Sequence, residues 1–374
     1  MKVMYIGNYK DGTGWGNAAL HNIRAMNSVG IDVIPRAVSY SSSYDNDCPQ
    51  DILELEKKSP KDIDVCIQHV LPTDFVYSTP NLKCKNVCTF ETENVDYSYS
   101  HWHKYINMFD NLFLPNSIMK FSCSHSRVNL YKKKIHVVNH CIDTKIYENF
   151  KPTDGIEMPG GHYTFCFVGE LNKRKNISAI IKAYHLAFHP SENVNLFLKL
   201  SGGGFSSNQD AMKFFDDFHS KITKSMKIRK KYKDPYVIFG RLPQQTLLSY
   251  MSQCHCFVSA SYGEAWCIPA LEAMALGLKV IYTAGTGLSE FAFGNGVKSR
   301  ESRCFDALDT LPELSSSNDT WMEVDIESLA RSMRHAYDAR TMHSDEKEFN
   351  TKQAMQFNYE KTGNQFLEAL NDIL

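Results

Sequence analysis

The sequence lacks a long apolar run, an excess of charge of one sign and a cysteine framework. No stretch reaches the ~18 consecutive apolar residues that span a bilayer, so any membrane contact is expected to be peripheral. The 41 Lys and Arg against 42 Asp and Glu leave a formal charge of −1, which argues against nucleic acid as a partner. The 11 cysteines are scattered, and no apolar leader precedes the first predicted strand. A reducing, cytoplasmic location is therefore expected.

Several binding motifs are also missing. No G-x-x-x-x-G-K-[ST] loop occurs, which excludes the usual phosphate-binding loop of kinases and ATPases. The Asp-x-Asp pairs that begin at Asp45 and Asp62 lie in a Ser-rich loop and before a predicted strand, where they are not placed to hold a metal ion and a diphosphate. Cys254-His255-Cys256 has no second ligand pair at zinc spacing. The sequence therefore predicts neither a metal site nor a cofactor.

What is present is the pattern of a two-domain α/β protein. The 374 residues exceed one ordinary core, because domains cluster at ~100 to 200 residues. Short apolar strands alternate with helical stretches in both halves, which is typical of parallel sheets. We predict Rossmann-like domains over 1–150 and 160–350 and a C-terminal helix over 351–374 that returns to the first domain. Helical periodicity further predicts helices over 325–339 and about 345–374.

The strongest functional signal is a pair of carboxylates around a strand-to-helix turn. Glu264 precedes the turn and Glu272 lies inside the predicted helix. Pro269 suits the first helical turn, because its missing N–H costs nothing there. A phosphate can bind to backbone amides that point outward at a helix N-terminus. Here these amides would belong to Trp266, Cys267 and Ile268. A surface helix with two unrelated glutamates is the other interpretation of this run.

This run resembles the retaining glycosyltransferases of family 4, which have the GT-B fold and two glutamates separated by seven residues. The resemblance implies two Rossmann-like domains that face each other across a cleft. It also implies that Glu264 holds hydroxyls of the transferred sugar and that Glu272 binds the ribose hydroxyls of the nucleotide. Both roles suit carboxylates, which accept two hydrogen bonds from a vicinal diol. Ala265 and Cys267 stand where the family usually has glycines, so this loop is bulkier than in typical members.

A basic turn follows the first strand of the second half. It contains Gly169, Arg174 and Lys175, and it resembles the diphosphate clamp of the family. The resemblance implies that Lys175 and Arg174 neutralise the diphosphate and the charge that grows on the leaving nucleotide. Relatives commonly have an arginine where this chain has Glu170. From the residues alone, a solvated basic turn at a helix start fits as well.

Glycines mark further parts of the predicted donor site. Gly14 and Gly16 open the first helix, where they allow the backbone to approach an anion, and they resemble the N-terminal glycine loop of the family. The same run matches the G-x-G-x-x-A fingerprint, so an NADP-dependent dehydrogenase that uses Arg36 stays open. The family resemblance further implies that Gly202 makes space for the nucleotide and that Arg241 lies beside its base.

The acceptor side carries weaker signals. Glu91 follows an apolar strand and could orient the acceptor hydroxyl or take its proton, although a solvated acidic turn would look the same. We interpret His140 as interdomain structure more than as a catalytic group. The basic stretch 221–233 could touch an anionic lipid surface that presents a lipid-linked acceptor, and a solvated helix face is its other interpretation.

The resemblance implies a retaining, metal-independent hexosyltransferase. Its donor would be a GDP- or UDP-sugar, with GDP-mannose as the first candidate, and its acceptor would be a glycan, a lipid-linked sugar or another hydroxyl compound. The residues expected to carry the chemistry are Lys175, Arg174, Glu264 and Glu91. A nucleotide-sugar epimerase of the same architecture and a non-catalytic module that binds sugar nucleotides remain as alternatives.

Overall fold

The computed structural model describes residues 1–40, 48–76, 84–158, 162–202, 204–226, 232–305, 313–339 and 344–374. Within these ranges the chain forms two six-stranded sheets and one separate pair of strands. None of the helices in these ranges combines the length and the apolar character that a membrane crossing needs. Residues 227–231 of the basic stretch, as well as Asp45 and Asp47, lie outside the described residues.

The first sheet is formed by the N-terminal part of the chain. Its strands are β1 (Lys2–Gly7), β2 (Asp32–Ala37), β3 (Val65–His69), β4 (Lys85–Thr89), β5 (Asn111–Leu114) and β6 (Lys134–Val137). They are parallel in the order β2-β1-β3-β4-β5-β6. The helices between them are α1 (Gly14–Ser28), α2 (Gln50–Glu56), α3 (Trp102–Ile106) and α4 (Ser117–His125). Every residue of β3 and β5 is buried, as expected for a parallel sheet covered on both faces.

A connection with the short helix α5 (Lys145–Glu148) leads into the second sheet. Its strands are β7 (Tyr163–Glu170), β8 (Val194–Ser201), β9 (Tyr236–Phe239), β10 (Cys256–Ser259), β11 (Lys279–Thr283) and β12 (Gly296–Val297). They are parallel in the order β12-β11-β10-β7-β8-β9. The helices of this half are α6 (Ile177–Ala187), α7 (Asn208–Ser225), α8 (Gln244–Met251) and α9 (Ile268–Ala275). The two halves therefore share one architecture.

An antiparallel pair of strands in the second half contacts the first half. β13 (Ser299–Arg303) pairs with β14 (Thr320–Val324). Beside them, Asp319 Oδ1 accepts hydrogen bonds from the backbone N–H groups of Tyr99 and Ser100 at 3.0 and 3.2 Å. The indole of Trp102 donates to the carbonyl of Leu314 at 2.8 Å. These bonds tie the loop that follows β4 to the second half.

The chain ends in α10 (Ile326–Asp338), α11 (Ser344–Ala354) and α12 (Tyr359–Ile373). The predicted single helix over about 345–374 is wrong, because the chain breaks between α11 and α12. Asn358 caps the new N-terminus by accepting a hydrogen bond from the N–H of Lys361 at 2.9 Å, which is a strong helix-start signal. α12 then packs against α1 and joins the core of the first sheet through Phe366, Ala369, Leu370 and Ile373.

Candidate active site

The candidate site lies where two neighbouring strands of the second sheet end. β10 pairs with β7 in parallel, so the loops that follow them emerge at the same edge of the sheet, where open α/β sheets bind ligands. Lys175 comes from the loop after β7, and Glu264 comes from the loop after β10. The two residues are 89 positions apart in the sequence, yet strand pairing brings their side chains into contact.

Glu264 is a buried carboxylate that accepts hydrogen bonds from Lys175, Ser261 and Arg174. Lys175 Nζ donates to its two oxygens at 2.6 and 2.9 Å, and the hydroxyl of Ser261 donates to Oε1 at 2.6 Å. Burial alone would raise the pKa of Glu264, but Lys175 and Arg174 outweigh burial and hold that pKa below its usual value. Glu264 is therefore ionised at neutral pH, as a group that accepts hydrogen bonds from sugar hydroxyls needs to be.

Arg174 connects the two halves across the cleft. Its Nη1 donates to the carbonyl of Gly263 at 2.7 Å, and it lies 3.4 Å from Glu264 Oε2. Its Nη2 lies 3.2 Å from Oε1 of Glu93, which follows β4 of the first sheet. Burial raises the pKa of Glu93, against the opposing effect of Arg174. The predicted diphosphate cations thus face carboxylates, and a diphosphate would have to share or replace these partners.

Glu272 is the second carboxylate of the pair and lies inside α9. It is buried, and burial raises its pKa. Its Oε1 accepts hydrogen bonds from the hydroxyl of Tyr147 at 2.9 Å and from the amide of Gln244 at 3.4 Å. Tyr147 belongs to α5, in the connection between the two halves. The residue predicted to bind ribose is therefore in contact with the interdomain connection.

The start of α9 has an unusual backbone. Cys267 occupies the N-cap position with a φ of 80°, a conformation that non-glycine residues rarely adopt. Ile268 and Pro269 begin the helix. The side chain of Trp266 packs against Phe291 and Phe357 in the core. The Trp266 side chain is therefore directed into the core, and the predicted phosphate would bind to the backbone N–H groups of Trp266 and Cys267.

Glu91 lies in a cluster with two histidines. Its Oε1 is 2.9 Å from Nε2 of His69 and 2.8 Å from Nε2 of His140. Burial would raise the pKa of Glu91, but His140 and His69 outweigh burial and lower that pKa to about 2. The indole of Trp15 donates to His69 Nε2 at 2.5 Å. His69, at the end of β3, thus links Glu91 to Trp15 of the glycine-loop helix α1.

The predicted glycines differ in what surrounds them. A Cβ at Gly16 would lie 2.1 Å from Asp11 Oδ1, whereas a Cβ at Gly14 would meet nothing within 4 Å. Packing therefore requires Gly16, and Gly14 leaves open space at the start of α1. Gly169 is required for packing too, because a Cβ there would lie 2.7 Å from the ring of Phe167.

The remaining positions predicted for a nucleotide site also contact other parts of the same chain. A Cβ at Gly202 would lie 2.4 Å from the side chain of Glu170, and its φ of +81° favours glycine. Arg241 donates to the carbonyl of Asp11 across the cleft. Arg36 donates to the carbonyls of Glu56 and Lys58, both at 3.1 Å. The guanidinium that a dehydrogenase would use for a 2′-phosphate thus holds the end of α2 instead.

A comparison with protein families matches the second half of the chain. Residues 154–298 match the family model described as glycosyl transferases group 1. This segment is similar to a group 1 glycosyltransferase domain. The segment contains Lys175, Glu264 and Glu272 but covers less than half of the chain. No curated protein sequence matches the chain.

Solved structures resemble the whole chain. The sucrose-phosphate synthase of Thermosynechococcus elongatus aligns with a TM-score of 0.65 and 14% identity, over 100% of this chain and 99% of that one. A structure described as trehalose-6-phosphate from E. coli bound with UDP-2-fluoro glucose has a TM-score of 0.67 and 10% identity. Anabaena Alr3699/HepE in complex with UDP has a TM-score of 0.60 and 13% identity. Both of these alignments cover 100% of each chain. The chain has the GT-B fold.

For this GT-B protein, the sequence did not lead us to predict three residues that lie around the site. His69 ends the buried strand β3, so its place at a strand's carboxyl end was a usable signal. Glu93 lies two residues after Glu91 and faces Arg174 across the cleft. Tyr147 carried no signal, because its contact with Glu272 spans 125 positions of sequence. His140, interpreted as interdomain structure, contacts the Glu91 carboxylate.

Proposed function

We propose that this chain is a retaining glycosyltransferase that moves a hexose-type sugar from a nucleotide diphosphate sugar to a glycan, a lipid-linked sugar or another hydroxyl acceptor. The observation that carries the proposal is the ionised Glu264, held by Lys175 beside the start of α9, inside the segment that is similar to a group 1 domain. The UDP and UDP-2-fluoro glucose in two structural neighbours support a UDP-sugar as the first donor to test. GDP-sugars follow, with GDP-mannose first.

The donor would lie along the C-terminal side of the cleft. Backbone amides at the N-terminus of α9 would bind phosphate oxygens, because the first amides of a helix have no partner within the helix. Glu272 would accept hydrogen bonds from the ribose hydroxyls. Tyr147 and Gln244 already donate to one oxygen of Glu272, so ribose binding would exchange or supplement these bonds. Glu264 would hold hydroxyls of the sugar.

The chemical step would replace one bond of the anomeric carbon by another. The bond from this carbon to the diphosphate oxygen breaks, and the acceptor oxygen bonds to the same face of the carbon. The acceptor proton passes to the departing diphosphate. Lys175 and Arg174 would stabilise the negative charge that grows on the diphosphate, as preorganised cations do in water-poor sites. This account needs no bound metal ion.

The acceptor hydroxyl would approach from the side of the first sheet. Glu91, with a pKa lowered to about 2, is ionised at neutral pH and can accept a hydrogen bond from that hydroxyl. Nε2 of His140 lies 2.8 Å from the same carboxylate oxygen, and Nε2 of His69, which accepts the indole N–H of Trp15, lies 2.9 Å from it. Such an arrangement orients a hydroxyl without taking its proton permanently, which agrees with proton transfer to the leaving group.

The deciding experiment incubates the purified chain with single UDP- and GDP-sugars and follows release of the nucleotide. Proton NMR of the sugar then reports the anomeric configuration of the product. We expect slow hydrolysis of one donor, with the product retaining the donor's configuration. A pool of small sugars and sugar phosphates, added as acceptors, should accelerate nucleotide release.

Three outcomes would contradict the proposal. Inversion at the anomeric carbon would overturn the retaining mechanism. A change of configuration at another carbon of the sugar would identify an epimerase. Nucleotide-sugar binding by calorimetry with no turnover of any donor, with or without acceptors, would indicate a non-catalytic binding module.

A further inference from the structure

One region of the first domain exposes large apolar side chains. It comprises the loop around α3, helix α4 and the loop that precedes β6. The exposed side chains and their exposed fractions are Tyr99 (58%), Met108 (59%), Phe121 (56%) and Tyr131 (78%). Apolar side chains of this size are usually covered, and several of them in one region indicate a binding surface.

The same region is basic in a protein whose formal charge is −1. Residues 97–134 contain six Lys and Arg against the single acidic residue Asp110. Five of these cations are exposed, and one of them, Lys134, pairs with Asp372 at 3.4 Å. The other four are Lys104, Lys120, Arg127 and Lys132. Two acidic residues of the second half reach this region: Glu313 accepts a hydrogen bond from the hydroxyl of Tyr105, and Asp319 accepts from the backbone N–H groups of Tyr99 and Ser100. We call the four exposed apolar and four exposed basic side chains the aromatic-basic surface.

Contacts between these segments make the surface continuous. The guanidinium of Arg127 lies 6.0 Å from the centre of the Tyr99 ring. The side chain of Asn107 donates to the carbonyl of Arg127 at 3.1 Å, which places the loop after α3 against the loop after α4. The Phe121 ring packs against His125 with centroids 4.1 Å apart. Exposed rings and cations are thus neighbours in this region, and Nζ of Lys132 likewise lies 5.5 Å from the centre of the Tyr131 ring.

The backbone holds this arrangement in place. Lys133 Nζ donates to the carbonyls of Ile106 and Asn107 at 3.4 and 3.3 Å, and also to that of Phe109. These bonds hold the turn that exposes Met108. Arg127 and Lys132 have φ values of 61° and 68°, a left-handed conformation that non-glycine residues rarely adopt. Such strain persists only where the surrounding structure imposes it, and it clusters at functional sites.

We propose that the aromatic-basic surface binds the surface of an anionic lipid bilayer. Cations attract anionic headgroups, and aromatic rings settle at the boundary between headgroups and acyl chains. Tyr131 and Phe121 insert at that boundary, while Lys104, Lys120 and Lys132 contact the headgroups. The membrane contact is thus assigned to the first domain instead of the basic stretch 221–233. This binding does not depend on the proposed transferase activity.

The test measures sedimentation of the purified chain with vesicles of phosphatidylcholine, alone or mixed with phosphatidylglycerol. We expect binding only to the mixed vesicles. Each cation near an anionic surface contributes about 1 kcal/mol, so the double substitution Lys104→Glu/Lys120→Glu should weaken binding by at least ~25-fold. The substitution Phe121→Ser/Tyr131→Ser should leave only a weak binding that high salt abolishes.

The matched control is Lys221→Glu/Lys224→Glu, which makes the same charge change at two exposed helical lysines of the second domain. It should bind vesicles like the unchanged chain. If this control loses vesicle binding and the first-domain variants keep it, the membrane contact belongs to 221–233. Three results would overturn the proposal. The unchanged chain does not bind the mixed vesicles, or Lys104→Glu/Lys120→Glu binds them as well as the unchanged chain does. The third is that the chain binds single-stranded RNA but not vesicles. Thermal unfolding checks that every variant is folded.

Discussion

Lys175 and Arg174 illustrate how the charges of single residues are arranged around the cleft. Both cations face carboxylates, Lys175 at Glu264 and Arg174 at Glu264 and Glu93. Removing one partner of a buried ion pair leaves the other charge uncompensated, which is costly. We therefore expect each substitution here to affect the fold as well as the proposed chemistry, and a kinetic experiment has to separate the two effects.

We predict that Lys175→Ala and Arg174→Ala each lower kcat more than they raise KM. The reason is that, in the proposed mechanism, they stabilise charge that grows only as the leaving group departs, an effect typically worth ~10² to 10³ in rate. Steady-state kinetics on the cognate donor measure both constants, and circular dichroism checks the fold. Lys173→Ala, which removes an exposed cation of the same turn, is the matched control. If all three variants keep the kcat and KM of the unchanged chain, the basic turn is not part of the chemistry.

The two glutamates should differ in what they bind. We predict that Glu272→Ala weakens binding of the free nucleotide by about ten- to a hundredfold, because a hydrogen bond to a charged group contributes ~1.5 to 3 kcal/mol. Glu264→Ala should lower turnover without weakening the binding of the free nucleotide, since its proposed contacts are with the sugar. Calorimetry with UDP and GDP measures the affinities. Unchanged affinity in Glu272→Ala would disprove the ribose assignment.

Among the elements, the contact between α1 and α12 joins the end of the chain to the first domain. Gly363 of α12 lies against α1 so closely that a Cβ would sit 2.3 Å from the carbonyl oxygen of Ala25. In the same contact, Nδ1 of His21 lies 2.9 Å from the hydroxyl of Tyr359. The close approach depends on a glycine, and the polar contact places the Tyr359 hydroxyl beside the buried imidazole of His21.

We predict that Gly363→Ala destabilises the protein. In an open helix position this change would stabilise by ~1 kcal/mol, so the sign of the effect tests the close approach. Overpacking typically costs ~1 to 3 kcal/mol. Chemical denaturation measures the free energy of unfolding, and Asn364→Ala, at an exposed position of the same helix, is the control. A gain in stability in Gly363→Ala would show that α1 and α12 do not approach each other this closely.

We also predict that the protein loses stability as the pH falls below about 6.5, the usual pKa of histidine. Burial, with Arg24 and His140 adding to it, lowers the pKa of His21 to about 3. Between these two values the unfolded chain binds a proton that the folded chain does not, so stability rises with pH in this window and falls with acid. His21→Gln should show a flatter dependence of Tm on pH than the unchanged chain or the exposed-site control His125→Gln. Identical slopes in all three would rule out this role for His21.

At the scale of the whole molecule, the two domains meet at a cleft in which charged side chains of one domain contact the other. Glu93 and Arg174 face each other from opposite domains, and Arg241 reaches the carbonyl of Asp11. Among the described residues, no cluster of three or more His, Cys, Asp or Glu could hold a metal ion. Metal independence stays a prediction that only a functional measurement tests.

We predict that EDTA leaves the transferase rate unchanged, because Lys175, Arg174 and the amides at the start of α9 supply positive charge for the diphosphate. The assay compares rates with EDTA alone and after addition of excess Mg²⁺ or Mn²⁺. A complete loss of activity with EDTA, restored by either ion, would disprove the proposed use of these cations.

The sequence by itself determined the local features of this protein. Apolar strands, the strand-to-helix turn before α9 and the basic turn after β7 could all be predicted, because periodicity and turn residues act over a few positions. The alternation of strands and helices likewise predicted two α/β domains. The prediction failed at 345–374, where the capping signal of Asn358 outweighed a helical pattern that continued on both sides.

Only the tertiary structure decided which of these features meet. Lys175 contacts Glu264 because β7 and β10 are neighbours in the sheet, although β8 and β9 lie between them in the sequence. Tyr147 reaches Glu272 through the packing of the interdomain connection. The physical reason is that side-chain periodicity specifies which face of an element is buried, whereas the partner on that face is chosen by the packing of the whole chain.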